Sequence, residues 1–405
     1  MTGSQNKIQR NLFRNTAKMV RLSEGNWGAA ESAGLVNFYV NHNKDGTLAV
    51  NDKTQSVLNM SSYSYLGLNR HPKVINGAIE ALQNQGVTGL GITPTRIQPN
   101  LYNEVQEGLS DIFRSECLLA LSCSTASAGL LPLVSSGHLI DGKPRVTVFD
   151  KKSHYCMDVM KPVCADEAPV ITCPHNDMSY LEDLCKKYDR VAYIADGAYS
   201  MGGTTDLSAL LYLQDRYGLF CWLDDSHAIS VLGDKGEGYV RSNIDEMNAL
   251  TIITGSLEKG FGCSGGVVML NRGHNKRFIN YFGGALCWSQ SMSVANLGSI
   301  KACIGIHSSG ELKTLQSRLR SNISIFDENV KTEQEGSLLP VRAIVIGDLK
   351  RAINISKQLF DKGYYTSPVY FPVAATGREG LRVMVRADVS ESTYREYVGA
   401  LSSLI

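Results

Sequence analysis

No apolar run in the sequence approaches the ~20 residues that a helix needs to span a bilayer, so no membrane-crossing helix is expected. An excess of charge of one sign is also missing. Forty basic residues face 39 acidic ones, for a formal net charge of +1, with no sign of a nucleic-acid surface or an acidic tail. The ten cysteines form no C-x-x-C pair and no Cys/His cluster at zinc spacing, so no metal centre is expected. Several, such as Cys117, Cys221 and Cys287, lie in apolar runs and read as core thiols of a reducing cytosol. Met1 to Arg21 is polar and basic without an apolar centre, so it reads as an N-terminal arm rather than a secretory signal or transit peptide. Internal repeats and low-complexity tracts are absent. What remains, 405 residues at 43% hydrophobic and 20% charged, is the composition of an ordinary globular protein with room for more than one domain.

The most informative stretch is Thr254-Gly255-Ser256-Leu257-Glu258-Lys259-Gly260-Phe261-Gly262. It follows Ala249–Ile253 and precedes Val267–Leu270, both apolar and β-branched, which read as buried strands. A lysine among small residues at the end of a buried strand is poorly suited to packing. Desolvation there lowers its pKa and makes it a nucleophile able to hold an aldehyde as a Schiff base. A surface lysine in a glycine-rich loop fits the stretch equally.

A second stretch separates the two readings. Phe220-Cys221-Trp222-Leu223-Asp224-Asp225-Ser226-His227 is an apolar strand ending in two carboxylates and a histidine. A carboxylate at a strand end suits a pyridinium nitrogen, because its charge keeps the ring protonated and electron-withdrawing. A lysine for the aldehyde and an aspartate for the ring nitrogen are the two groups that pyridoxal 5'-phosphate (PLP) chemistry most requires.

Along the chain, residues 1–60 read as an arm with a helix and a hairpin turning at Asn41–Gly46. Strands and helices then alternate. Leu118–Ser122 leads into Cys123-Ser124-Thr125-Ala126, small residues opening a helix. That is the chemistry of an anion site, and Ser124 and Thr125 are assigned to the cofactor phosphate, with a simple helix cap as the alternative. Arg145–Phe149 precedes His154, Val191–Ala195 precedes Ser200, and Val170–Cys173 is another short strand. This alternation indicates an α/β protein with a mostly parallel sheet, and the candidates fall at strand carboxyl ends, where such sheets bind ligands. From about Ser293 the pattern changes to a long helical stretch, Val294–Ile325, then Val341–Ile346, a helix over Leu349–Asp361, Tyr364–Val369 and Leu381–Val385. Arg382, inside the last strand, has the chemistry to clamp a carboxylate, and is equally compatible with a surface strand.

Taken in order, these motifs resemble the α-oxoamine synthase family of fold-type I PLP enzymes. Ser61-Ser62-Tyr63-Ser64-Tyr65-Leu66-Gly67-Leu68 resembles S-x-D-Y-L-G-L, with Tyr63 closest to the serine palmitoyltransferase form. Asp224-Asp225-Ser226-His227 resembles D-[DE]-[AS]-H, and Ser256-Leu257-Glu258-Lys259-Gly260-Phe261-Gly262 resembles T-[FL]-x-K-[AG]-[FL]-G. Ser153-His154 stands at N-H, Asp196-Gly197-Ala198-Tyr199-Ser200-Met201 at [DE]-G-[VA]-[FY]-S-M, and Leu381-Arg382-Val383 at L-R-[IL]. The chain departs from the pattern at Cys123-Ser124-Thr125-Ala126, at Ala228-Ile229-Ser230, at Thr93–Pro99, at Trp288–Ser291 and at Glu258.

The resemblance implies a large PLP-binding domain over 61–292 with a mostly parallel seven-stranded sheet. It implies a smaller α+β C-terminal domain over 293–405, with 1–60 as the arm. It makes Lys259 the Schiff-base lysine and base, Asp224 the ring-nitrogen partner and His154 the ring-stacking residue. Ser256 becomes a phosphate ligand, and His227 and Ser200 lie near the cofactor's phenolic oxygen. Arg382 and Tyr63 fall to the substrate. The implied reaction is decarboxylative condensation of an amino acid with an acyl thioester, carried by coenzyme A or an acyl carrier protein. The implied protein is a cytoplasmic homodimer with shared active sites. An aminotransferase or lyase on the same scaffold is the alternative, and a non-catalytic subunit is disfavoured because Lys259 is present.

Overall fold

The computed structural model describes residues 16–51, 55–274 and 276–405; the first fifteen residues of the expected arm lie outside it. Helix Thr16–Ser32 leads into strands β1 (Val40–His42), β2 (Leu48–Val50) and β3 (Ser56–Asn59). The expected hairpin is present, with Val40 opposite Val50.

The central sheet has seven strands: β4 (Glu116–Ala120), β5 (Val146–Asp150), β6 (Val170–Cys173), β7 (Val191–Asp196), β8 (Phe220–Asp224), β9 (Thr251–Ser256) and β10 (Gly266–Leu270). Their order is β4-β10-β9-β8-β7-β5-β6, and the neighbouring pairs are parallel except those made by β10. Only β10 is reversed, so six carboxyl ends open on one edge. The strands are apolar at nearly every position because both faces are covered. Along β8, Cys221 and Leu223 belong to one buried cluster, whereas Phe220 and Trp222 belong to the other. The two-residue period of a strand supplies this split.

Two expected elements divide. Val294–Ile325 forms two helices, Val294–His307 and Glu311–Asn329, interrupted at Ser308-Ser309-Gly310. The first of them packs on helix Pro72–Gln85, where Gly77 and Gly298 bring the two backbones together. The C-terminal segment supplies β11 (Val341–Val345), β12 (Tyr364–Tyr365), β13 (Ser367–Val369) and β14 (Gly380–Met384). The single run expected over Tyr364–Val369 is thus shared between two sheets. β12 pairs with β3, and β13 pairs with β14. Thr366 lies between them and is fully buried.

This split carries the segment after β3 along β14. Met384 N–H donates to Met60 O at 2.8 Å and Ala387 N–H to Tyr65 O at 2.7 Å. Ser61 Oγ donates to Arg382 O at 2.6 Å and accepts from Ser367 N at 2.8 Å. Residues about 320 positions apart in sequence are thereby held side by side over the open sheet edge. The Lys259 loop closes against the same segment. Gly262 has φ +76°, and a Cβ there would lie 2.5 Å from Asn69 N and 2.6 Å from Leu68 C. Gly262→Ala is therefore expected to cost about 1–3 kcal/mol, since both the backbone conformation and the contact are unfavourable. Urea unfolding of the variant measures this.

Candidate active site

β8 ends in two adjacent carboxylates with separate roles. Asp224 lies over the sheet edge, with Oδ1 accepting from the backbone N–H of Ser226 at 3.0 Å and from its hydroxyl. Ser226 Oγ in turn accepts from Ser256 N–H at 2.8 Å, locking the end of β8 to that of β9. Asp224 Oδ2 faces thiols instead, with Cys123 Sγ at 3.2 Å and Cys156 Sγ at 3.8 Å. Asp225 turns away, accepts from Val240 N–H at 2.9 Å, and is pushed up to about 7 by burial. It anchors a loop and does not reach the cleft side of Asp224.

Lys259 lies three residues beyond β9. Its Nζ is 2.9 Å from His227 Nε2, and His227 Nδ1 is 2.6 Å from the Tyr65 hydroxyl. The Tyr65 hydroxyl also points at Met384 Sδ, 3.8 Å away. Burial lowers the lysine pKa, partly offset by the charge of Asp224. Burial and then the lysine's charge hold His227 well below the usual imidazole range, so the ring is neutral at pH 7. Burial pushes the Tyr65 hydroxyl strongly upward, so it stays protonated. A consistent set of donors runs from Lys259 through His227 and Tyr65 to the sulfur.

Arg382 reaches in from β14. Its guanidinium bonds the Tyr63 hydroxyl and donates to Ser200 O at 3.4 Å, with its carbon 5.4 Å from the Tyr63 ring centre. Among the described residues its buried Nε–H has no hydrogen-bond partner. A partly satisfied guanidinium that shares Tyr63 with a lysine of lowered pKa is poised for an anionic ligand. Tyr63 bridges the two groups, its ring 5.9 Å from Lys259 Nζ and 6.2 Å from the His227 ring.

His154 is exposed at the mouth, capping the short helix Tyr155–Asp158. Its backbone N–H donates to Asp196 Oδ1 at 3.0 Å. Its hydrogen bond with Cys156 raises its pKa, whereas burial, followed by the charge of Asp224, holds Asp196 well above the usual carboxylate range. Ser124 and Thr125 occupy the first turn of helix Cys123–Ser135. The cap is Ser122, which accepts from Thr125 N–H at 3.1 Å and lies 2.9 Å from its hydroxyl. Thr125 is thus engaged in the cap, while Ser124 is exposed. Ser256 closes β9, and its hydroxyl accepts from Glu258 N–H at 3.2 Å.

The aminotransferase class I and II family profile matches residues 55–401. The chain belongs to the aminotransferase class I and II family. An 8-amino-7-oxononanoate synthase from Thermoanaerobacter pseudethanolicus is 29% identical over 82% of this chain and 84% of its own length. A serine palmitoyltransferase from Bacteriovorax stolpii is 27% identical over 84% of this chain and 80% of its own. In fold, a serine palmitoyltransferase from S. paucimobilis with PLP bound superposes with a TM-score of 0.82 at 18% identity, covering 98% of each chain. Both activities are members of the α-oxoamine synthase group that the motifs resemble.

The residues of this aminotransferase class I and II member fit PLP. The edge offers a carboxylate oxygen whose protein partners are weakly bonding thiols, a desolvated lysine, an exposed imidazole and the start of a 13-residue helix. Sequence reasoning assigned no part to Tyr65, Ser226, Asp196, Cys123 or Cys156. Tyr65, Ser226 and Asp196 lie inside the motifs that carry the resemblance. The cysteines carried no signal, because the groups they meet come from other strands.

Tyr65→Phe leaves His227 Nδ1 buried without its partner. It is expected to cost about 1–3 kcal/mol in urea unfolding. Tyr63→Phe, at a side chain 40% exposed, is expected to stay within about 0.5 kcal/mol.

Proposed function

We propose that this chain condenses an amino acid with an acyl thioester, with loss of the α-carboxylate as carbon dioxide, to give an α-amino ketone. The observation that carries this reading is the hydrogen-bonded Lys259–His227–Tyr65 line beside Asp224, with Arg382 sharing Tyr63 with the lysine. The relatives named 8-amino-7-oxononanoate synthase and serine palmitoyltransferase support it.

Bound PLP supplies an aldehyde for the amine and an electron-withdrawing ring for a developing carbanion. Lys259 holds the aldehyde and, once released, moves the proton at the substrate Cα, for which a lowered amine pKa is suited. Asp224 Oδ2 keeps the ring nitrogen protonated, and His154 covers the ring face from the mouth. Ser124 and Thr125 hold the phosphate at the helix start, with Ser256, while Ser200 and His227 flank the phenolic oxygen. Arg382, with its unpaired Nε–H, holds the substrate carboxylate, and Tyr63 orients that guanidinium. Once the lysine has moved, a shift of the imidazole proton from Nδ1 to Nε2, with the Tyr65 hydroxyl then donating to Nδ1, lets His227 hydrogen-bond the incoming acyl carbonyl. In this reading the chain works as a cytoplasmic homodimer with shared active sites. Residues 61–292 form the cofactor domain and 293–405 the small domain.

Purified protein is expected to form carbon dioxide and ketone only when amino acid and acyl thioester are both supplied. Amino-group transfer to a keto acid without a thioester would favour the aminotransferase alternative. Lys259→Ala is expected to lower turnover by about 10²–10⁴-fold or more and to remove the visible band of the loaded protein. Normal turnover in that variant would sink the mechanism. Arg382→Lys is expected to raise KM for the amino acid while leaving PLP affinity nearly unchanged, read by steady-state kinetics and cofactor titration. The rate at which stripped protein takes up PLP is expected to rise with pH with a midpoint below 10.5, because the Lys259 amine loses its proton more easily than a free lysine.

A further inference from the structure

Two thiols meet the catalytic carboxylate beneath the place where the ring nitrogen belongs. Cys123 opens the helix after β4, Cys156 lies in the short helix after β5, and Asp224 ends β8. All three are buried, with exposures of 7%, 3% and 4%. One ligand atom from each lies within 4.8 Å of the other two. Asp224 Oδ1 is held by Ser226, so Oδ2 is the oxygen turned toward the sulfurs.

We propose that Cys123, Cys156 and Asp224 form a site for a thiophilic divalent cation, of the zinc or cadmium class, that is open when the ring is absent and closed when it is bound. Zinc bonds thiolate sulfur at about 2.3 Å in a tetrahedron, which separates two sulfurs by about 3.8 Å, so three ligand atoms this close need only small side-chain adjustments. Two thiolates and a carboxylate are a donor set that such ions favour over magnesium or calcium. A further ligand, such as water, would complete the tetrahedral shell. Binding forms two metal–sulfur bonds and one metal–oxygen bond and releases the two thiol protons to solvent; nothing is oxidised or reduced. Because the metal uses Asp224 Oδ2, the same atom cannot also hold a protonated ring nitrogen. Metal and cofactor therefore exclude each other, and the ion acts as a brake on cofactor loading. The metal site rests on the three side chains alone; the exclusion rests also on the cofactor reading above.

The test uses full-length protein, stripped of cofactor, reduced and metal-free, titrated with cadmium and followed by the ultraviolet thiolate-to-cadmium charge-transfer band. One equivalent is expected to bind. Cys123→Ser and Cys156→Ser are each expected to weaken it at least about tenfold, with near-ultraviolet circular dichroism confirming that the variants fold. Wild-type protein loaded with PLP beforehand is expected to show no band, which tests exclusion without any variant. Absence of a band in stripped wild type, or unchanged binding in either serine variant, would overturn the site. Equal binding with and without PLP would overturn the exclusion. Failure of the stripped protein to take up PLP at all would instead refute the cofactor reading and leave the cadmium titration to decide the site.

Discussion

The hydrogen bond of 2.9 Å between Lys259 Nζ and His227 Nε2 is the constraint on which the site depends. It exists because β8 and β9 are parallel neighbours, so the loops after them leave the same edge of the sheet. Burial makes charge costly here, and the bond lets an amine and an imidazole lie together with one proton between them rather than two positive charges. Tyr65 fixes the far side of the imidazole, so the ring cannot rotate away from the lysine. The reactivity of Lys259 thus follows from packing: a desolvated amine whose partner is neutral.

Charged groups gather around that line. Asp224 and Asp196 act on Lys259 from the strand ends, and Arg382 shares the Tyr63 ring with it. Two buried carboxylates so close together raise the cost of ionising both, and the structure places that cost on Asp196, whose pKa is raised. Ser226 orients Asp224 with two hydrogen bonds to one oxygen and leaves the other available. The thiols at that second oxygen are weak hydrogen-bond partners that a ring nitrogen displaces at little cost.

Much of this architecture was legible in the chain. The apolar runs of β5 to β8 and β10 were visible because most of their positions are apolar and the central strands are buried on both faces. Helix Leu349–Asp361 was legible to the residue, since its apolar face repeats cleanly. Val294–Ile325 misled because apolar residues continue on both sides of Ser308–Gly310, and only the change of packing partner breaks the helix there. Tyr364–Val369 misled for a related reason: β-branched and aromatic residues mark a strand but not which sheet it joins. At the site, motif spacing singled out Lys259 just after β9 and Asp224 and His227 at the end of β8. The same spacing cannot show that Asp225 points elsewhere, or that Thr125 also bonds the Ser122 cap.

The alternation of strand and helix, the burial of the strands, and the placing of chemistry-bearing side chains just past strand ends are written into the amino-acid order. Those are properties of short segments, set by local periodicity and by residue type. Tertiary structure alone decided which side chains meet. Tyr65 reaches His227 across 162 positions, Arg382 reaches Tyr63 across 319, and Cys123 reaches Asp224 across 101. The physical reason is that a hydrogen bond acts over about 3 Å, whereas the pairing of distant strands that creates such proximity leaves no periodic mark in the chain.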